Sequence, residues 1–184
     1  MLVFRQAKHE DAQHIAQLHT VSWQQNYRGT FSDYYLDHEV LPNRIQVWQE
    51  RLENPAQNQH VLIVEEEGEL LGFVCAYLDE NETYGTYLDN LHVSSKAQGR
   101  GLGTQLMGKL ANQISNHSTK GLYLWVIEGN NLAIAFYNRL NGKALDSVEA
   151  DDIGDASFIK IRYVWEDLDQ LYKYVTTKLR AYEY

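Results

Sequence analysis

Along this chain, segments with an apolar residue at every second position alternate with segments where apolar residues recur every third or fourth. Leu2–Arg5 is short and apolar enough for a first strand. Glu10 and Asp11 stand where a helix N-terminus favours negative charge, and Ala12, Ile15, Ala16 and His19 follow at helical spacing, with Leu18 and Ser22 flanking. That pattern predicts a helix to about Trp23. Residues 24–41 are aromatic and turn-rich, with Tyr27, Arg28-Gly29, Phe31, Tyr34 and Tyr35. Pro42 suits the opening of a second helix, in which Ile45, Trp48 and Leu52 share one face.

A strand-like stretch comes next. His60–Glu66 and Leu70–Leu78 flank a hairpin turn at Glu67-Gly68, and Thr83–Val93 supplies a third run of Tyr, Thr and Val. The period then changes to helical through Leu102, Leu106, Met107, Leu110, Ala111 and Ile114. Leu122–Ile127 reads as a short buried strand, and Asn130–Leu140 as a helix carrying Ala133, Phe136, Tyr137 and Leu140. Ser157–Trp165 predicts a strand with Ile159, Ile161, Tyr163 and Trp165 on one face. A terminal helix over 166–182 follows, through Leu168, Leu171, Val175 and Leu179. The order β-α-α-β-β-β-α-β-α-β-α is that of a mixed α/β (α+β) domain.

Composition adds limits to this picture. A chain of 184 residues fits one domain, 1–184, with 166–184 as a C-terminal helical extension. Its longest apolar runs, such as Leu122–Ile127, fall far short of the about 20 residues of a membrane span. The N-terminal residues show no signal-peptide pattern, and the single Cys75 allows no internal disulfide, so a reducing cytoplasm is the expected setting. The net charge of −9 argues against binding nucleic acid through its phosphates. That charge is concentrated: nine acidic residues and no Lys or Arg lie between Leu52 and Ser95. Glu65–Glu69 falls in a turn and reads as a solvated edge. Asp79, Glu80, Glu82 and Asp89 have a second reading, a field that attracts a cationic substrate.

Gly99, Gly101 and Gly103 sit between a strand and a helix. Glycine lets a backbone approach a ligand closely, and the first N–H groups of a helix point outward with the positive end of its dipole. The arrangement suits a pyrophosphate, and equally a tight turn without ligand. A dinucleotide fingerprint, G-x-G-x-x-G, fails because Thr104 or Leu106 occupies the third glycine position. A P-loop fails because Gly108-Lys109 is followed by Leu110. The pattern Gln/Arg-x-x-Gly-x-Gly/Ala is met by Gln98-Gly99-Arg100-Gly101-Leu102-Gly103. It is preceded by Leu91-His92-Val93-Ser94-Ser95 and followed by Leu124–Asn130, Ala133, Phe136-Tyr137 and Leu140-Asn141-Gly142.

Two such motifs, in this order and separation, closely resemble the GNAT N-acetyltransferase superfamily. The resemblance runs in element order over roughly residues 2–165, with its specific motifs confined to 88–103 and 124–142. It implies a central mixed, mostly antiparallel sheet flanked by helices, with the terminal helix as an addition. It also implies acetyl-coenzyme A as donor, with no metal. Backbone N–H groups of Gln98, Gly99, Arg100, Gly101, Leu102, Gly103 and Thr104 would hold the pyrophosphate. The Leu91, His92 and Val93 segment would pair with the pantetheine arm as an added strand would. Asn130 would contact the cofactor arm or cap its helix, or both. Tyr137 falls on the family's tyrosine, commonly the proton donor to the departing thiolate.

The acceptor side is less marked. A lysine-like amine loses its proton at pH 7 at a cost of roughly 4–5 kcal/mol, so a base or a water chain is expected. Many relatives place a Glu two positions before the site of Asp89, where this chain has Tyr87. Asp89 is the substitute candidate, against the reading of an exposed strand carboxylate. His92 is of the residue type that can titrate near neutrality, but alternation is expected to turn it from the cleft. Tyr27, Tyr87 and Asp89 are the candidates for acceptor contact, the 23–35 aromatics serving as a cation–π wall or as core. The expected reaction is direct acetyl transfer to a primary amine of a small molecule, polyamine, amino acid or peptide. The alternatives are a non-catalytic acyl-coenzyme A sensor and an enzyme for a longer acyl donor. Cys75 lies in an apolar strand and is not expected to act covalently. For the terminal helix, with Tyr172, Tyr174, Tyr182 and Tyr184, the two roles are a cap on the fold and a homodimer contact.

Overall fold

A computed structural model describes residues 1–114 and 120–180. Strand β1 (Leu2–Gln6) is followed by helices α1 (Ala12–Asn26) and α2 (Val40–Glu53). Strands β2 (Gln59–Glu66), β3 (Glu69–Asn81) and β4 (Gly85–Val93) then lead into α3 (Leu102–Ile114). The remainder is β5 (Leu122–Ile127), α4 (Asn131–Arg139), β6 (Lys143–Ala150), β7 (Phe158–Trp165) and α5 (Leu168–Arg180). The strands form one seven-stranded sheet in the order β1-β2-β3-β4-β5-β7-β6. Every neighbouring pair is antiparallel except β4 with β5, which are parallel.

Alternation along the strands feeds both faces of the sheet. Leu62, Val64, Val74, Ala76 and Leu88 pack on one side with Leu106, Met107 and Leu110 of α3 and with Leu171 and Val175 of α5. Val61, Ile63, Phe73 and Cys75 pack on the other with Ile15 and Ala16 of α1 and Trp48 of α2. The aromatic segment predicted after α1 is largely core: Trp23, Phe31, Tyr35 and Leu36 are buried with Ile127 and Phe158, while Tyr34 is exposed. A wide π-type turn, Tyr35–Glu39, runs into α2. Pro42 therefore does not open a helix but follows directly on this wide turn, a place where the helical ladder is already loosened and a residue without an N–H is accommodated.

Three sequence expectations are corrected. A seventh strand, β6, forms although all its residues but Ala150 are exposed; with no buried face it shows no alternation, and only its pairing with β7 creates it. Ile159 is 42% exposed, because the apolar face of β7 begins at Ile161. α1 continues one turn past Trp23. α5 spends its apolar stripe on the fold itself, where Val175 packs over Gly108 of α3. Tyr182, Tyr184 and the Leu179 side chain, placed in the terminal helix by their spacing, lie outside the described residues.

Candidate active site

β4 and β5 pair only over Thr86–Leu88 with Leu122–Leu124, and beyond Leu88 the two strands part. The β5-facing edge of β4 from Asp89 to Val93 is left without a strand partner, whereas β3 stays paired along its other edge. The opening is a cleft of about 440 Å³, closed by α1 on one side and α4 on the other. At its mouth lies the glycine loop. Gly99 and Gly101 have φ of 79° and 73°, and a Cβ at either would meet nothing, so conformation rather than space requires glycine there. Gly103, one turn on, is a packing glycine, since a Cβ would stand 3.3 Å from the Phe136 ring.

Of the residues singled out by sequence, Tyr27, Asp89, Leu91, His92, Val93, Gln98, Gly99, Gly101, Leu102, Gly103, Thr104, Asn130 and Tyr137 line this cleft. Two do not. The Arg100 guanidinium turns outward to Glu66 at 2.8 Å. Tyr87 stacks on Tyr123 with ring centroids 5.1 Å apart, outside the lining.

The position of Tyr87 follows from a bulge. Cys75 faces Asn90 and Ala76 faces Leu88, so Asp89 is one residue more than β3 can match. Strict alternation would place Tyr87 on the face of Leu91; the extra residue instead sets it opposite Tyr77, toward α1 and α2. Tyr87 thereby shares that face with Asn90 and His92, which alternate normally with Leu91. His92 was expected to turn from the cleft, yet it borders it, with Nδ1 sharing a 2.7 Å hydrogen bond with the Ser22 hydroxyl. Its ring lies 4.5 Å from that of His19, whose Nδ1 accepts from Trp48 Nε1 at 3.0 Å. Burial, with Arg44 nearby, lowers His92 to about 4; burial also holds His19 well below the usual range.

Asp89 accepts from Arg51 Nη1 at 2.7 Å, and Arg51 itself stacks over Trp48 at 5.2 Å. It is the one carboxylate among the described residues lining the cleft. Other carboxylates of the acidic stretch also meet cations from elsewhere, as Glu65 meets Arg5 at 2.8 Å and Glu69 meets Lys96 at 2.9 Å. Asp79, Glu80 and Glu82 do not line the cleft.

Asn130 is the N-cap of α4: its side-chain oxygen accepts from the Ala133 N–H at 3.2 Å. Tyr137, on α4, is 8% exposed, with its ring 5.4 Å from Phe136 and 5.9 Å from Trp165. Burial, then the neighbouring Tyr27, raises its phenol above the ordinary value. Cys75 is buried outside the cleft, and burial pushes its thiol up to about 12. Sequence reading missed Ser22, Asn26, Asn90 and Trp125 as lining residues. Asn90 carried a signal, because Asn is disfavoured inside a strand.

A sheet that parts between its two parallel strands, with a glycine loop and a helix N-terminus at the opening, defines an acyltransferase of the GNAT type. The model of the acetyltransferase (GNAT) family matches residues 15–142, and the chain belongs to that family of acetyltransferases. It is similar to the uncharacterized N-acetyltransferase YuaI of Bacillus subtilis, 27% identical over 177 residues, which are 93% of this chain and 96% of that protein. The spermine/spermidine N(1)-acetyltransferase of the same organism is 30% identical over 79 residues, 40% of this chain and 52% of that protein. Among solved structures, the PaiA N-acetyltransferase of Thermoplasma acidophilum, in complex with coenzyme A, has a TM-score of 0.68 at 16% identity. That match covers 90% of this chain and 99% of the other, and shows a shared fold. Among the described residues no helix is long and apolar enough to cross a membrane.

Proposed function

We propose that this chain, acting as one catalytic domain, transfers an acetyl group from acetyl-coenzyme A directly to a primary amine within a ternary complex. The observation that carries this reading is the unpaired edge of β4 beyond Leu88, opening from the glycine loop into a cleft that contains Tyr137. Backbone N–H groups of 98–104 receive the pyrophosphate at the N-terminus of α3, and Leu91 and Val93 offer their backbones to the amide-bearing pantetheine arm. The acyl end then lies toward Leu88, where β4 and β5 meet. Coenzyme A bound to the PaiA relative is consistent with this assignment.

The acceptor is a primary amine of a small molecule, polyamine, amino acid or peptide. It gives up a proton to Asp89, directly or through water, at a cost of roughly 4–5 kcal/mol for a lysine-like amine at pH 7. Its lone pair attacks the thioester carbon, the C–S bond breaks, the Tyr137 phenol donates a proton to the leaving sulfur, and the surplus proton on the new amide nitrogen returns to the Tyr137 phenolate, directly or through water. Alignment of amine and thioester contributes up to roughly 7–11 kcal/mol, more than any single side chain. This explains why the donor half of the site is conspicuous in the sequence and the acceptor half is not.

A covalent detour through Cys75 has no support, since that thiol is buried, protonated at neutral pH and outside the cleft. Initial velocities measured while both acetyl-coenzyme A and amine are varied are expected to give converging double-reciprocal lines. Parallel lines would indicate an acetylated enzyme and overturn the ternary mechanism.

A further inference from the structure

We propose that Arg162 receives an oxyanion of the acceptor, a carboxylate or a phosphate, so that the preferred substrates are amines bearing such a group. This rests on the amine-acetylation reading above and names the substrate class within it. Leu124 and Val126 of β5, with Ile161 and Tyr163 of β7, belong to the core beneath α3. Alternation therefore turns Trp125 and Arg162, register partners across β5 and β7, to the side of α1 and α2. The clusters beneath those helices take in Val61, Phe73, Ile127 and Phe158, but neither Trp125 nor Arg162. Trp125 lines the cleft and is the first β5 residue beyond Leu124, where pairing with β4 ends. Arg162 stands one strand further on, beside the point where thioester and amine are to meet.

Its guanidinium carbon lies 4.5 Å from the centre of the Trp125 ring and 4.3 Å from that of Tyr84. The side chain is only 17% exposed, yet none of its N–H groups has an aligned hydrogen-bond partner among the described residues. Asp146 Oδ1 stands 3.1 Å from Nε, close enough for an ion pair but out of line for a hydrogen bond. Nε is closed off from solvent, whereas the two Nη groups are not. The accessible edge is thus the forked one. A guanidinium this nearly buried is costly to leave without acceptors. Its fork matches two oxygens of a carboxylate or phosphate.

The surrounding charges fit that role. Asp89, the carboxylate of the cleft, is already paired with Arg51. Lys160 lies 5.5 Å from the same Trp125 ring and adds a second cation, paired with the exposed Asp152. Glu80, whose charge reaches Tyr123, accepts from Asn58 at 2.9 Å. A diamine would set its second ammonium beside Arg162 and Lys160, a like-charge contact. The net charge of −9 does not draw anions from a distance, so the preference comes from contact with the fork.

The test measures kcat/KM of the full chain for aminocarboxylates from glycine to ε-aminocaproate. Each is compared with the amino alcohol of the same length, phosphoethanolamine with ethanolamine, and lysine with cadaverine. The oxyanion-bearing member of at least one pair is expected to be favoured about ten- to a hundredfold, the usual yield of a hydrogen bond between charged groups. The pair that responds tells carboxylate from phosphate and reads the span from Arg162 to the reacting nitrogen. In Arg162→Met, which keeps the contact with both rings, that ratio is expected to fall to about one, with the Kd for coenzyme A within about twofold. A merely structural Arg162 would lower both members of a pair and leave their ratio, so an unchanged ratio in the variant overturns the assignment. Amino alcohols and cadaverine acetylated by wild type as well as their oxyanion-bearing partners overturn it without any variant, as does acetylation confined to amines that carry no oxyanion. A wild type that acetylates no primary amine at all is a failure of the parent reading, distinct from these.

Discussion

Tyr137→Phe is expected to lower kcat by about 10²–10⁴-fold, the usual contribution of a positioned general acid, while the Kd for coenzyme A stays unchanged. The substitution removes one hydroxyl and keeps the ring that packs against Phe136, Tyr163 and Trp165. The fold is therefore preserved, and the loss reports chemistry. The pH profile carries a second signature of the same residue. An acid is active while protonated, and burial raises the Tyr137 phenol, so its protonated form persists to higher pH than that of an exposed tyrosine. The wild-type rate is expected to climb as the amine deprotonates and to show no fall below about pH 10 from loss of this proton. Equal turnover of the Phe variant and wild type would remove Tyr137 from the acid role.

Acid is expected to destabilise the folded protein well above the range where carboxylates titrate. His19 is 2% exposed and its Nδ1 already accepts from Trp48, so a proton placed there would face an N–H donor. His92 stacks on it and is lowered to about 4 by burial. Both rings are neutral in the folded chain and take protons freely once unfolded. The unfolded state then binds more protons below about pH 6.5, and stability falls as pH drops from there toward 4. With two protons involved the slope approaches about 2.7 kcal/mol per pH unit. For His92 alone the span from 6.5 to about 4 corresponds to at most about 3–4 kcal/mol, an upper figure because the residue borders the open cleft. Denaturant unfolding at pH 7, 6 and 5 measures this directly, and His92→Asn should reduce the slope by roughly one proton's share, about 1.4 kcal/mol per pH unit. A stability that does not change between pH 6.5 and 5 would contradict the neutral buried pair.

What the sequence disclosed follows from how local each feature is. The glycine loop, the apolar stripe of α3 and the Asn130–Tyr137 helix are written in neighbouring residues, and each stands where its spacing put it. β6 was not legible because an all-exposed strand has no alternation; its existence depends on β7. The bulge at Asp89 was hidden for a related reason, since register is a property of two strands and Cys75 is distant in sequence from Asn90. Its consequence is that Tyr87 shares a face with Asn90 and His92. The pairing of Asp89 with Arg51, 38 residues apart, was equally out of reach. It changes the meaning of the acidic stretch, whose one cleft-lining carboxylate is an ion-paired side chain rather than part of an uncompensated field.

The central claim is that this cleft carries an acetyl group from thioester sulfur to amine nitrogen. It is tested most directly by incubating the protein with acetyl-coenzyme A and a panel of primary amines covering polyamines, amino acids and peptides. Free thiol and acetylated amine are then measured together. The expected result is thiol release that depends on a particular amine and equals the amount of that amine gaining one acetyl group, both abolished or sharply reduced in Tyr137→Phe. Acetyl-coenzyme A that binds tightly yet releases no thiol above background with any amine would contradict the account and identify the chain as a binding module.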